Sequence, residues 1–529
     1  MRRWNGWGDK ERDYPLKPEA LEFLHRVLGP GKPLQNADLK QVIAEVPPSR
    51  VDDHPLLKTD AETRIRHGRG QSAGDWLAMK SGDFGVFPDA VAEPKNQGEV
   101  RILMDLIAKQ DYLVIPYGGG TSVAGHITPA PSARPIVTLS LRSLNQLESI
   151  DTESQIATFG AGANGPEVES QLRGYGYTLG HFPQSFELST IGGWVATRSS
   201  GQQSLRYGRI EQLFAGGTVE TPRGTLDIPT FPASSAGPDI REMVLGSEGR
   251  LGVITRVKVR VARIPEKETF IGVFFPEWHK ALTCVREVLQ HHIPLSMMRL
   301  SNPIETRTNL TLAGHKTSIG ALESYLRLRG VADGKCMLMM GLTGDAQQVQ
   351  SSRNQAFKIL NRYGGVSTST ILGTKWAEGR FKAPYLREAL WEKGYMVDTV
   401  ETAADWNRID RLIYRLENDL REGLADESEE VHGFTHLSHM YTQGSSCYTT
   451  YVFRVGQDYE ETYKRWQKLK SIASEAITLE GGTISHQHGV GKDHRDYLLR
   501  EKDDLGMDII SSLMSTMDPK TMMNPGTLI

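Results

Sequence analysis

Hydrophobic and polar positions follow two different patterns along this chain. Residues 1–85 are predicted to form a helical N-terminal region, because residues 18–28 carry apolar side chains at helical spacing before Gly29-Pro30-Gly31. From residue 86 to residue 265, short apolar strands alternate with helices, which predicts an α+β domain built on two small sheets. Its predicted elements are helices at 97–109 and 165–174, and strands at 113–115 and 136–139.

The pattern starts again after Ile264-Pro265-Glu266. Strands and helices then alternate up to residue 480, which predicts a ferredoxin-like α/β domain over residues 266–480. The predicted strands are 269–275, 296–300, 335–342 and 447–455, and the predicted helices are 278–291, 347–363, 403–424 and 459–477. Residues 481–529 are expected to form a C-terminal segment that completes the functional site.

Composition narrows the class of protein. A chain of 529 residues exceeds one ordinary core, and 39% hydrophobic with 24% charged residues is typical of a soluble globular protein. The net charge of −3 gives no electrostatic basis for binding nucleic acid. No apolar run approaches the roughly 20 residues needed to cross a bilayer, and no signal peptide is recognised. We therefore expect a cytoplasmic protein, with peripheral membrane contact left open; its three scattered cysteines predict no disulfide framework.

A glycine-rich segment offers the strongest local signal. Three consecutive glycines in Pro116-Tyr117-Gly118-Gly119-Gly120-Thr121-Ser122 follow an apolar strand. Such a run turns tightly and leaves its backbone N–H groups accessible, which suits a pyrophosphate, although a plain turn would have the same sequence. Further glycine-rich, hydroxylated segments follow at residues 180–194 and 246–255.

Four histidines lie close together in the last quarter of the chain: His436, His439, His486 and His488. Three interpretations stay open, namely structural histidines, ligands of a metal ion, or acid/base and anion-binding groups. Gln487 occupies a position where a carboxylate would favour a metal.

Three further side chains have both a structural and a functional interpretation. Tyr448 lies on a predicted strand whose alternation puts it on one face with Thr450, either in the core or in a site with a neighbouring base. Arg299 and Arg387 have largely apolar neighbours in the sequence. Each would form a salt bridge or bind a phosphate or carboxylate.

The three glycine-rich segments resemble the FAD-binding domain of the vanillyl-alcohol oxidase superfamily. The whole chain resembles the alkylglycerone-phosphate synthase family, through Trp4-Asn5-Gly6-Trp7-Gly8, residues 192–201, Thr221-Pro222-Arg223-Gly224 and Gly237-Pro238-Asp239-Ile240. The resemblance implies a two-subdomain FAD-binding domain with a substrate cap, lipid-like substrates and a homodimer. FAD is expected to bind non-covalently, because the position of a covalent histidine link in some relatives is not evident here.

The resemblance also implies the roles of individual residues. Tyr448 corresponds to the catalytic tyrosine, His486 and His488 to the outer members of a triple-histidine loop, Arg299 to an arginine needed for activity, and Arg387 to the arginine that binds substrate phosphate. No metal is assigned. The implied cofactor-binding residues are Pro116, Tyr117, Gly118, Gly119, Gly120, Thr121, Ser122, Gln184, Ser185, Ser189, Thr190, Gly193, Thr197, Arg198, Ser199, Ser200, Glu248, Gly249, Gly252, Val253 and Ile254.

The implied reaction exchanges the acyl group of acyl-dihydroxyacetone phosphate for a fatty alcohol, without net redox change. Gln487 departs from the pattern by replacing the middle histidine, and Gln184 stands where the family carries an acidic residue. Asn524-Pro525-Gly526 is similar to FAD-linked 2-hydroxy-acid dehydrogenases, some of which hold a metal through histidines and a glutamate at the position of Gln487. The alternatives are therefore an FAD-linked oxidase or dehydrogenase of a 2-hydroxy acid or alcohol, or a flavin-binding protein without catalysis.

Overall fold

The computed structural model describes residues 1–313 and 316–529. In the described part of the chain, the N-terminal half contains a mixed four-stranded sheet in the order Leu57–Lys58, Ala90–Ala92, Ile136–Ser140 and Leu113–Tyr117. Its last three strands run parallel, so the glycine-rich segment emerges from the carboxyl end of Leu113–Tyr117. Ligands commonly bind at this end of parallel strands.

A second, antiparallel sheet packs beside the first one. Its five strands are Leu147–Asp151, Ile156–Gly160, Val253–Arg260, Phe214–Thr221 and Gly224–Ile228, in spatial order. A short ladder joins Tyr177–Thr178 to Ala262–Arg263. The helices of this half are Pro18–Leu28, Leu39–Glu45, Ala61–Arg66, Ala73–Ser81, Gln97–Gln110, Gly165–Arg173, Ile191–Thr197, Ser204–Tyr207, Ile210–Leu213 and Ile240–Val244.

The C-terminal half is built on an antiparallel seven-stranded sheet. Its strands, in spatial order, are Val366–Ser367, Lys267–Phe275, Cys336–Gly344, Met297–Ser301, Val431–Met440, Gly444–Arg454 and Tyr395–Asp405. The helices are Trp278–Gln290, Pro303–Leu312, Lys316–Leu328, Ala346–Arg362, Ile371–Gly379, Leu386–Trp391, Trp406–Glu422, Tyr459–Leu479 and Leu499–Met517. We call this half the cap.

The two faces of the cap sheet have different environments. Leu338 and Met340 point into the largest hydrophobic core, whereas Met337 on the same strand points into a cavity. Tyr448 and Thr450 also border that cavity, while Tyr451 lies in the core. The period of two in a strand produces this separation, and it confirms the predicted alternation around Tyr448.

One predicted boundary in the cap is wrong. The sequence predicts a helix from Ala403, but Ala403 and Ala404 pair with Ser446 and Ser445 in the ladder, and the helix begins at Trp406. Sheet pairing here outweighs the helix propensity of alanine. The strands Tyr395–Asp405 and Val431–Met440 are not predicted from the sequence, because both place polar side chains on the cavity face.

Among the described residues, no helix is long and apolar enough to span a bilayer.

Candidate active site

A continuous cavity of about 760 Å³ extends between the N-terminal sheets and the cap sheet. On the N-terminal side its wall contains the glycine-rich segment and parts of the other two glycine-rich segments. On the cap side the wall contains Arg299, His436, Tyr448, His488 and Arg387. Residues far apart in the sequence therefore meet at one site.

The glycine-rich segment is shaped by close backbone contact. A Cβ atom at Gly119 would lie 1.9 Å from the carbonyl oxygen of Leu188, and one at Gly118 would lie 2.4 Å from Thr190 Oγ1. Any side chain would therefore separate this segment from the segment that contains Leu188 and Thr190. The close approach forms the narrow, backbone-lined channel that a dinucleotide pyrophosphate requires.

The structure brings nearly all the predicted cofactor-binding residues onto the cavity wall. Arg198 and Val253 are the two that lie elsewhere. Arg198 forms an ion pair with Glu242 at 2.8 Å and borders a second cavity. Val253 is fully buried in the hydrophobic core of the N-terminal sheets. Sequence position alone could not distinguish them from their cavity-facing neighbours.

Glu248 joins the cavity wall to the C-terminal segment. Its carboxylate accepts hydrogen bonds from the backbone N–H groups of Val490 at 2.6 Å and Gly491 at 2.8 Å. Its backbone carbonyl accepts from Asn524 Nδ2 at 2.8 Å. Glu248 therefore fixes the segment that follows His488, besides bordering the cavity.

Gln184 also connects the two halves of the molecule. Its amide nitrogen donates to the carbonyl oxygen of Arg380 at 2.9 Å, and its amide oxygen accepts from Gln202 at 3.0 Å. A neutral amide suits this position because it must donate one hydrogen bond and accept another.

Arg299 is held by a buried carboxylate that the sequence analysis did not identify. Its guanidinium donates to Glu305 Oε1 at 2.8 Å, and His436 Nδ1 lies 2.9 Å from the same oxygen. Burial alone would raise the pKa of Glu305, but the charge of Arg299 and the hydrogen bond from His436 lower that pKa to about 2. Arg299 thus forms a salt bridge, as one of its two interpretations predicts, and it also lies on the cavity wall.

Tyr448 lies between two histidine rings. His436 stacks on it with ring centroids 4.9 Å apart, and His488 meets it edge-on at 6.0 Å. Burial raises the pKa of Tyr448 to about 12, and burial lowers the pKa of both histidines. At neutral pH the phenol therefore keeps its proton, and two uncharged rings able to accept a proton lie beside it.

The Glu401 carboxylate lies at the centre of the histidine cluster. His486 Nδ1 lies 3.1 Å from Glu401 Oε1, and the Gln487 amide donates to Oε2 at 2.5 Å. His488 Nε2 lies 3.6 Å from Oε2, and His439 Nε2 lies 3.8 Å from Oε1. Desolvation would raise the pKa of Glu401, but the hydrogen bond from His486 and the surrounding rings lower it well below its usual range.

His486 has a different position from the one that the sequence suggested. Its ring is buried, its Nε2 lies 2.7 Å from the Tyr441 hydroxyl and 3.1 Å from Arg209 Nη1, and it borders the second cavity. His439, which the sequence left unassigned, lies on the wall of the main cavity, with Ser200 Oγ 3.0 Å from its Nδ1.

Glu401, His439 and His486 offer ligand atoms within 4.8 Å of one another, a spacing that a metal ion could bridge. The carboxylate, however, already accepts hydrogen bonds from His486 and Gln487. Arg209 also places a positive charge beside His486. Because that charge opposes a cation, we assign the cluster as a hydrogen-bonded network around Glu401 and not as a metal site.

Two hydrogen-bond donors of Arg387 have no protein partner. Its Nη1 donates to the backbone carbonyl of Gln71 at 2.6 Å, and its guanidinium lies over the Trp76 ring at 4.6 Å. Its Nε and Nη2 are buried on the cavity wall without a hydrogen-bond partner. Two unpaired guanidinium donors provide the planar fork that binds phosphate.

The part of the wall formed by the cap is largely apolar. The apolar side chains that border the cavity there include Met297, Leu312, Met337, Trp376, Leu386, Val397 and Phe434. The cavity therefore offers both polar groups and a surface suited to a hydrocarbon chain.

Comparison with known proteins identifies the family. The family described as "FAD linked oxidases, C-terminal domain" matches residues 264–528, and the family described as "FAD binding domain" matches residues 88–227. The chain is 30% identical to the alkyldihydroxyacetonephosphate synthase of Dictyostelium discoideum, over 100% of this chain and 93% of that protein. The chain belongs to the alkyldihydroxyacetonephosphate synthase family. The predicted family and the predicted cofactor, FAD, are thereby confirmed.

Solved structures agree with this membership. A structure of alkyldihydroxyacetonephosphate synthase matches with a TM-score of 0.85 and 27% identity, covering 99% of this chain and 98% of that one. A p-cresol methylhydroxylase matches with a TM-score of 0.67 and 14% identity, covering 96% of each chain, and supports the fold alone. The predicted fold class, a vanillyl-alcohol oxidase type FAD-binding domain with an α/β cap, is confirmed.

Proposed function

We propose that this protein is an FAD-dependent alkyldihydroxyacetonephosphate synthase, which replaces the acyloxy group of acyl-dihydroxyacetone phosphate, released as a fatty acid, by the alkoxy group of a fatty alcohol to form an ether bond. The observation that carries the proposal is the match to this family over the whole chain. The joint cavity supports it, because FAD-binding segments, unpaired arginine donors and an apolar wall border the same space.

FAD, when bound, supplies an electron sink for carbanion chemistry at the substrate. Arg387 would bind and orient the substrate phosphate through its unpaired Nε and Nη2 donors. Arg299, held by Glu305, would contribute positive charge from another part of the same cavity wall. Fixed charges of this kind reduce the reorganisation needed as charge develops.

Tyr448, His436 and His488 would handle the proton that leaves carbon 1 of the substrate. The phenol is protonated at neutral pH, so it acts first as an acid or passes its proton to a neighbouring ring. His436 and His488 are the neutral acceptors in contact with it. Glu401 keeps the ring of His486 and the Gln487 amide in place behind them.

The apolar part of the cavity would hold the acyl chain that leaves and the fatty alcohol that replaces it. Lipid-like substrates of this kind favour peripheral membrane contact for an otherwise cytoplasmic protein, which sedimentation with liposomes would test. Non-covalent FAD and a homodimer are part of the same proposal. Release of flavin by acid precipitation and analytical ultracentrifugation would test them.

The decisive experiment incubates the FAD-loaded protein anaerobically with acyl-dihydroxyacetone phosphate and hexadecanol. Mass spectrometry measures the alkyl ether, and absorbance follows the flavin. The proposal expects ether product with the flavin oxidised at the end. Lasting flavin reduction by D-lactate or glycolate, without any ether, would instead support an oxidoreductase.

A further inference from the structure

The N-terminal segment places a tryptophan on the wall of the substrate cavity. Trp7 is 5% exposed, borders the cavity, and its indole N–H is buried without a hydrogen-bond partner. A buried donor without a partner is costly, and it indicates a group that a ligand completes.

Close packing against the cap determines where Trp7 lies. A Cβ atom at Gly6 would come 2.6 Å from Glu388 Oε2, and one at Gly8 would come 2.5 Å from the Tyr385 ring. The two glycines therefore seat the backbone of residues 6–8 directly on the cap residues that flank Arg387. The two glycines of the Trp-Asn-Gly-Trp-Gly pattern have their physical reason here.

Gln71 connects the same segment to Arg387. Its amide nitrogen lies 3.4 Å from the carbonyl oxygen of Gly6, and its own backbone carbonyl accepts from Arg387 Nη1 at 2.6 Å. Gln71 Oε1 is also buried on the cavity wall without a partner. Trp7, Gln71 and Arg387 thus bring unpaired polar atoms to one region of the cavity.

We propose that the Trp7 indole N–H is a second donor to the substrate phosphate, beside the unpaired donors of Arg387, and that it sets specificity for the phosphorylated headgroup. This inference rests on the proposed function. Gln71 acts as a positioning residue, because it holds both the guanidinium and the backbone that carries Trp7. The alternative acceptor is the FAD pyrophosphate, since Arg2 of the same segment donates to the carbonyl oxygen of Gly119 at 2.6 Å.

Trp7→Phe tests the proposal because it removes the N–H group and retains an aromatic ring. We expect the KM for acyl-dihydroxyacetone phosphate to rise about tenfold, as for loss of a hydrogen bond to a charged group. The KM for hexadecanol and the dissociation constant of FAD should stay unchanged. Trp4→Phe is the matched control, because Trp4 packs among Val42, Ile65 and Met79 in a separate apolar cluster.

A second variant tests the same region by charge. Gln71→Glu changes little in size, places a carboxylate beside the phosphate, and should raise the same KM at least as much. An unchanged KM in Trp7→Phe would overturn the proposal. A weaker affinity for FAD with an unchanged KM would also overturn it and assign the N–H to the cofactor.

Direct binding separates this inference from the proposed reaction. Titration calorimetry of the FAD-loaded protein with dihydroxyacetone phosphate should give binding that weakens in Trp7→Phe, with dihydroxyacetone as the control without phosphate. If no ether is made but this difference persists, the headgroup site stands and the proposed reaction fails. If ether is made and Trp7→Phe binds dihydroxyacetone phosphate as tightly as the parent protein, the proposed reaction stands and this inference fails.

Discussion

At the scale of single residues, the site depends on how burial sets protonation. Burial raises the pKa of Tyr448 to about 12 and lowers the pKa of His436 and His488, so all three side chains are uncharged at neutral pH. Glu401 and Glu305 remain ionised because donors and positive charges surround them. Environments that drive titratable groups apart in this way are typical of acid/base sites.

Replacing Tyr448 by phenylalanine tests the proton-handling role. The ring packing between His436 and His488 is retained, so FAD binding should not change, while kcat should fall by about 100-fold or more. Stopped-flow turnover and flavin absorbance measure the two quantities. Near-normal turnover would remove Tyr448 from the proposed chemistry.

The pH dependence of kcat/KM should report the protonation of His436 and His488. A base must be unprotonated, so kcat/KM should fall only below pH 6.5, because burial lowers the pKa of His436 and His488 from that value. The Glu401 charge raises the pKa of His488, so Glu401→Gln should shift the acid limb to lower pH. A pH–rate profile of both proteins measures the shift.

If the acid limb of the pH–rate profile lies at the same pH in Glu401→Gln as in the parent protein, Glu401 does not affect the base that determines the rate. The alkaline side serves as the internal control. With the pKa of Tyr448 raised to about 12, ionisation of this residue should cause no loss of activity up to pH 9 in either protein.

At the scale of elements, two strands and one turn position the chemistry. The strands Val431–Met440 and Gly444–Arg454 pair so that His436 lies opposite Tyr448, and Glu401 pairs with Tyr448 from the other side. The turn at Gly118 and Gly119 follows Leu113–Tyr117 and lies against Leu188 and Thr190. The strands place the proposed acid/base groups, and the turn shapes the channel proposed for FAD.

Gly119→Ala should prevent FAD binding, because its Cβ would lie 1.9 Å from the backbone oxygen of Leu188. That oxygen cannot move unless the backbone around Leu188 moves with it. We expect purified protein with little flavin and a thermal unfolding midpoint that no longer rises when FAD is added. Absorbance at the flavin band and differential scanning fluorimetry measure both effects.

Gly320→Ala is the matched control, since nothing lies within 4 Å of a Cβ at that helical position. It should bind FAD normally. Normal flavin content in Gly119→Ala would contradict the channel assignment.

At the scale of the whole molecule, the cavity requires both halves. Hydrogen bonds between them include Ser200 with His439 and Arg209 with His486, and an ion pair joins Lys80 to Glu388. The cavity lies between surfaces that neither half forms alone. The division at residues 85, 265 and 480 stays a prediction.

The apolar wall should set the length of chain that the protein accepts. Met337→Trp adds bulk where the cap sheet borders the cavity. We expect a shift of preference from hexadecanol towards decanol or shorter alcohols. The dissociation constant of dihydroxyacetone phosphate should stay unchanged. Product analysis with a mixture of alcohols measures the preference.

Met340→Leu on the same strand is the control, because Met340 points into the core on the opposite face. It should leave the chain-length profile of the parent protein unchanged. An unaltered profile in Met337→Trp would place the alkyl chain elsewhere.

The sequence by itself determined those features that depend on local order. The helix Pro18–Leu28 and the alternation around Tyr448 follow from hydrophobic periodicity, and the glycine-rich turn follows from the steric freedom of glycine. The family resemblance added the prediction that FAD is the cofactor and the predicted roles of Arg299, Arg387 and Tyr448. The helix, the alternation and the turn each depend on a short stretch of chain.

Only the tertiary structure decided which distant groups meet. Glu401 and Glu305 carry no sequence signal, because an isolated glutamate looks like a surface residue until strand pairing buries it beside histidines. The same folding turned His486 towards the second cavity and brought His439 to the main one, where Trp7 and Arg387 also lie on the wall. Burial and proximity across the sheet are properties of the folded chain, and they set the charges on which the proposed chemistry depends.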